Sequence, residues 1–135
     1  MRITLFELLY RYIYPALRRR FAIVLYREFG LKQERIAKIL GITQSAVSRY
    51  VDGRRGILVG FEDIPEVNEQ LRTIARRVLS GELDEYGVQV ELMRVIFKLL
   101  GERRLCIIHA KVDSSIDYTK CSICPNLFKP YIKPQ

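Results

Sequence analysis

The chain has 135 residues, 49% of them hydrophobic and 28% charged, with a net charge of +8. This is enough for one packed domain, or a small domain with an appendage, and it excludes a disordered chain. No stretch approaches the roughly 20 apolar residues of a membrane-spanning helix, and no small-residue cleavage site follows an apolar core. Three cysteines, all beyond residue 105, do not make a secreted disulfide framework. The expectation is a cytoplasmic protein with no membrane partner.

The charge is unevenly spread. Residues 1–60 hold 12 Lys and Arg against 4 Asp and Glu, residues 61–100 hold 5 against 8, and residues 101–135 hold 6 against 3. The positive excess therefore lies in the first half, where a polyanionic partner would find it.

In chain order, residues 3–14 place Ile3, Phe6, Tyr10 and Ile13 on one helical face, widened by Leu5 and Leu9. Pro15 marks a break or a helix first turn. The next segment, PALRRRFAIVLYREF, reads as a helix with Leu17, Phe21, Val24 and Leu25 inward and Gly30 as its end. Its Arg18–Arg20 run wraps around the helix, and each member could be solvated or could meet a phosphate.

Residues 33–53, QERIAKILGITQSAVSRYVDG, have the layout of two short helices joined by a tight turn. Ala37 lets the second helix cross close by, Gly41 allows a left-handed turn, and Val47 points back to close the small core. Ile36, Leu40, Ile42 and Tyr50 add apolar contacts at helical spacing. Thr43 can cap the second helix, and Gly53 stops it. The remaining face holds Gln44, Ser45, Ser48 and Arg49, with no acid among them, which suits a helix that meets base edges and phosphates. An Ala…Gly…Val pattern also occurs in purely structural bundles, but here the spacing, the acid-free face and the basic surround coincide.

This stretch resembles the helix-turn-helix of phage-repressor-type (Cro-like, XRE-like) transcription regulators. The resemblance implies that Gln33 bonds a phosphate and steadies Gln44. Lys32 departs from it, standing where that family often has a Ser or Thr cap. The longer run from PALRRR through SRYVDGRRG to the cysteine-containing tail looks like a set of small archaeal helix-turn-helix regulators.

Beyond the second helix, Arg54 and Arg55 could reach backbone phosphates. Residues 56–61, GILVGF, could form a short strand or an extended arm. Pro65 opens a helix with Val67, Leu71, Ile74 and Val78 at 4-3-4 spacing, closed by Ser80 and Gly81. A further helix, about 84–100, carries Val88, Leu92, Val95, Ile96 and Leu99, with Gly101 as its stop. Its stripe is wider than one small domain needs, so this helix, aided by the N-terminal one, is the expected contact between two copies.

The tail holds Cys106, His109, Cys121 and Cys124, that is C-x2-H, eleven residues, then C-x2-C. Two paired ligands across a loop match a structural zinc site of Cys3His type, with an iron–sulfur cluster as the lesser option. The alternatives are a surface histidine, a merely buried Cys106, and a Cys121–Cys124 pair that is free or locally bridged. Without metal, residues 111–135 have too few apolar side chains to hold together unless they pack on the helices.

Together these features lead to an all-α fold: a helix-turn-helix bundle in residues 1–60, a helical pair for dimerisation in 61–101, and a Cys/His tail in 102–135. The expected function is a sequence-specific DNA-binding transcriptional regulator acting as a homodimer on double-stranded DNA. Arg49 would contact a guanine, and Gln44 an adenine or a phosphate. Ser45 and Ser48 would support them, while Gln33, Thr43, Arg54 and Arg55 position the backbone. The alternative is a protein-interaction adaptor that uses a zinc-stabilised tail and binds DNA without sequence preference. One histidine and no convergent carboxylate pair leave little for catalysis, so an enzyme is not expected.

Overall fold

The computed structural model describes residues 1–53 and 59–132, and within them the chain is helical throughout, with no strand. A short helix α1 (Leu5–Leu8) runs through a π turn (Leu9–Ile13) into α2 (Tyr14–Arg27). The helices α3 (Gln33–Leu40) and α4 (Gln44–Asp52) follow. After a 3-10 turn (Phe61–Asp63) come α5 (Pro65–Leu79), α6 (Glu85–Gly101), α7 (Cys106–Val112) and α8 (Ile123–Phe128). Among these helices, none is long and apolar enough to cross a membrane.

Pro15 does not break the helix. It has no N–H to offer the carbonyl four residues back, and the turn before it widens so that the Tyr14 N–H reaches the Leu9 carbonyl. The wider turn shifts the inward face. Leu8 and Ile13 are buried, whereas Phe6 and Tyr10 stand 86% and 82% exposed. The expected stripe is thus kept only in part: Ile13 is buried and Ile3, Leu5 and Leu9 pack against the core, whereas Phe6 and Tyr10 turn outward, because a 3.6-residue period does not run unchanged through a π turn.

One apolar cluster extends from Leu8 to Cys124 and takes in side chains from all three segments that the sequence divides by role. Val67, Leu71 and Ile74 of α5 enter it, with Val78 at its edge. Val88, Leu92, Val95, Ile96 and Leu99 of α6 are all buried. The broad stripe of α6 is therefore consumed within the chain, against α3, α5 and α8.

Residues 54–58 lie outside the described residues, so the strand-or-arm question for GILVGF is answered only from Val59 onward. Val59 and Phe61 are buried, and Phe61 opens the 3-10 turn. Asn68 of α5 holds this connection in place. Its Nδ2 donates to the carbonyls of Phe61, Glu62 and Ile64 at 3.2, 3.0 and 3.1 Å, and its Oδ1 accepts from Arg20 Nε at 2.7 Å. A buried amide with every polar atom satisfied joins α2, the connection and α5 in one geometry.

The tail packs rather than dangles. Phe128 stacks on Phe97 of α6 with ring centroids 4.8 Å apart, and Tyr131 meets Phe97 edge-on at 5.1 Å. Gly101 makes this approach possible: a Cβ there would come within 2.7 Å of the Phe128 carbonyl oxygen and 2.8 Å of Ile132. Gly101 is the last residue of α6 rather than a stop beyond it. Gly101→Ala should therefore destabilise the chain by about 1–3 kcal/mol through overpacking. Urea unfolding measures it, and an unchanged midpoint would mean that α8 yields without cost.

Candidate nucleic-acid interface

The turn between α3 and α4 is built by three local devices. Gly41 takes φ +68°, a left-handed conformation that costs a residue without Cβ little. The Ile42 N–H then reaches back to the Ala37 carbonyl at 3.0 Å, a Schellman closure that satisfies an end carbonyl of α3. Thr43 caps α4, its Oγ1 accepting from the Ala46 N–H at 3.1 Å. Lys32 precedes α3 with no side-chain cap, as its departure from Ser or Thr implies.

The inner face of α4 is held from behind. Val47 is fully buried and Val51 nearly so, and α4 packs on both α2 and α3. Three of the arginines on α2 are engaged here. Arg18 Nε donates to the Tyr50 hydroxyl at 3.0 Å, with its guanidinium 5.2 Å from the Tyr14 ring centre and 5.7 Å from that of Tyr50. Arg19 lies against Gly53, in the space a Cβ would need. Arg27 Nη2 reaches the Val51 carbonyl at 3.5 Å. Cations at the C-terminal end of a helix offset its negative dipole end. Arg20, bound to Asn68 and 3.8 Å from Glu28, completes the account of the Arg18–Arg20 run: all three are used within the fold.

The outer face is largely exposed among the described residues. Thr43, Gln44, Ser45 and Arg49 are exposed and Ser48 half-buried, so the acid-free surface expected from the sequence is presented outward. Gln33, half-buried, begins α3, and among the described residues no hydrogen bond joins it to Gln44. Arg54 and Arg55 fall outside the described residues. Sequence reasoning missed three cations. Lys32, just before α3, and Arg35 and Lys38 within it, all exposed, recur at spacing three and add positive charge to the helix-turn-helix. Their i, i+3 spacing is the signal that could have found them.

Residues 16–51, covering nearly all of α2 through α4, match the family model of sigma-70, region 4, a helix-turn-helix DNA-binding domain. No curated protein and no solved structure matches the chain. Sigma-70 region 4 is a different family from the phage-repressor type that the motif resembles; the helix-turn-helix is what they share. Geometry and family match agree on that unit, a DNA-binding element of transcription regulators.

The tail residues come together at another place. Cys106, His109, Cys121 and Cys124 line one small cavity, together with Leu8 of α1 and Tyr118. All three cysteines are free, and burial pushes the Cys124 thiol up to about 11 and raises that of Cys106. Among the described residues, however, no three His, Cys, Asp or Glu side chains stand poised to hold a metal ion. His109 is turned to the chain's own backbone: its Nε2 donates to the Ile3 carbonyl at 2.6 Å.

Asp113 completes this grip. Its Oδ2 accepts from the N–H groups of Arg2 and Ile3 at 2.6 and 2.7 Å, and its Oδ1 accepts from the Ser115 N–H and hydroxyl at 3.0 and 2.5 Å. Residue patterning holds no hint of it, since its N-terminal partners are backbone groups 110 and 111 positions away. Hydrogen bonds from the Ile3 N–H first, then from the Ser115 hydroxyl, hold the Asp113 carboxyl far below its ordinary value of 3.8. A depressed folded-state pKa gives stability that is complete above the unfolded value and lost as pH falls below it. Asp113→Asn should therefore lower stability at neutral pH and make the acid limb of the unfolding profile shallower. Urea midpoints compared at about pH 7 and pH 3 measure this; a constant difference between the two chains would contradict it.

Proposed function

We propose that the chain is a sequence-specific DNA-binding transcription regulator that acts as a homodimer, without catalysis, in the cytoplasm. The single observation that supports this best is the face of α4, capped at one end, latched at the other, and left bare between. In this reading α4 enters the major groove of double-stranded DNA. Arg49 takes a guanine, Gln44 an adenine or a phosphate, and Ser45 and Ser48 lend support. Gln33, Thr43, Arg54 and Arg55 fix register on the backbone, joined by Lys32, Arg35 and Lys38. Gln33 and Gln44 would act as their counterparts do in phage-repressor-type regulators. Residues 1–60 then carry DNA binding and residues 61–101 pairing, on one shared core.

The second copy has a candidate surface. Phe6 and Tyr10 are followed one turn later by Tyr14, whose hydroxyl donates to Gln89 Oε1 at 2.6 Å. Gln89 sits between Tyr86 and Val90, which are 74% and 50% exposed. The tie sets two outward apolar pairs on neighbouring helices. Glu7 and Arg11, each one residue beyond an exposed aromatic, are of opposite charge, and a two-fold axis between copies would bring each against the other's counterpart. This replaces the broad α6 stripe, which the core uses, as the reason to expect pairing.

Selection of bound DNA from a random pool tests the function. A two-half-site consensus is expected, and Arg49→Ala should cost about 1–3 kcal/mol on it and relax one base position. Enrichment of no sequence would leave the adaptor alternative standing instead. Pairing is tested by sedimentation: the unmodified chain should be a dimer at micromolar concentration, and the Tyr10→Glu, Tyr86→Glu double variant a monomer. A dimer that survives both charges would place the contact elsewhere.

A further inference from the structure

We infer that Cys106, His109, Cys121 and Cys124 form a binding site for one zinc-class divalent ion, with Nδ1 of His109 as its nitrogen ligand. This stands independently of the DNA-binding proposal. The two pairs stand at separate helices with eleven residues between them, yet all four line the same small cavity. Cys106 and His109 are three apart on α7 and so share a helical face. Cys121 and Cys124 flank the start of α8, whose far end is anchored on α6 by the Phe97–Phe128 stack.

The histidine's hydrogen bond decides the ligand atom. A carbonyl oxygen can only accept, so the 2.6 Å contact to Ile3 requires the proton of the neutral ring on Nε2. Nδ1 is then the nitrogen with a lone pair. A ring nitrogen that donates to a backbone carbonyl while the other faces a metal is the usual outer arrangement of histidine sites, because it sets both tautomer and ring angle. Asp113, gripping the Ile3 N–H, holds that carbonyl's residue in place. Arg103 does the same for the sulfur side, its Nη1 donating to the Cys121 carbonyl at 2.7 Å and its Nη2 to that of Tyr118.

The donors do not yet converge on a point. A cysteine sulfur moves between staggered positions by rotation about one bond, so closing on an ion asks for rotamer changes around a cavity the thiols already line. Three thiols and one imidazole give a closed tetrahedral set suited to Zn2+, with no open position for a substrate. A thiol ligates as its thiolate, so metal binding would release protons.

Cobalt reports on such a site. The reduced full chain, titrated with Co2+, should show thiolate-to-metal charge-transfer and tetrahedral d–d bands that saturate at one ion per chain and vanish on adding Zn2+. Cys121→Ser should weaken Co2+ binding by at least about 10-fold. His109→Ala should lose binding in the same way, and His109→Cys should restore it with bands shifted toward a four-sulfur set. A folded unmodified chain with no such bands overturns the site. A His109→Ala chain with unchanged bands and affinity overturns the histidine's part, and iron–sulfur absorption in the purified protein overturns the zinc-class assignment.

Discussion

A helix can read a groove only if it is fixed from behind while its outer side is left empty. Here that condition is met by the burial of Val47 and Val51 against α2 and α3. Everything else in the first half of the chain serves it. Gly41 and Ile42 set the angle between α3 and α4, Thr43 starts α4, and Gly53, at φ +42°, ends it against Arg19. Loss of any of these would tilt α4 before it touched the residues on its outer face. Geometry of recognition is thus a property of the core, and only its chemistry belongs to the surface.

The arginines show why net charge alone is a weak guide to a binding face. Five of the cations in residues 1–53 (Arg18, Arg19, Arg20, Arg27 and, through Tyr12, Arg11) rest on groups of the chain itself. Such contacts, between a cation and an aromatic face or a helix end, draw their value from placement rather than from total charge. Among the described residues of the helix-turn-helix, the exposed cations are fewer than the sequence count implies: Lys32, Arg35, Lys38 and Arg49. A short, dense set of cations gives register along a phosphate backbone, whereas a diffuse excess gives attraction without position.

The legible parts of the sequence were those governed by short-range rules. Cap, turn glycine, helical spacing and stop all act within a few residues, and so the helix-turn-helix, α5 and α6 could be placed from pattern alone. The N-terminal helix could not. A proline forced a wider turn, the period changed, and Phe6 and Tyr10, which look like core, turned outward. Asn68 and Asp113 were equally hidden, because what makes each of them matter is a partner that only the folded chain brings near, Arg20 for Asn68 and the backbone of Arg2 and Ile3 for Asp113. Polar groups that bind backbone leave no periodic trace.

Asp113 and His109 tie α7 to the first residues of the chain in a way that bears on the helix-turn-helix. Residues 2 and 3 lead directly into α1, the π turn and α2, which is the helix that supports α4. Leu8 of α1 also lines the cysteine cavity, so the tail touches the N-terminal helix at two places, one polar and one apolar. A change in the tail that moved α7 would strain the bonds to Arg2 and Ile3 and press on Leu8 at once. Because α1 continues into α2 without a break, such strain has no flexible joint in which to dissipate.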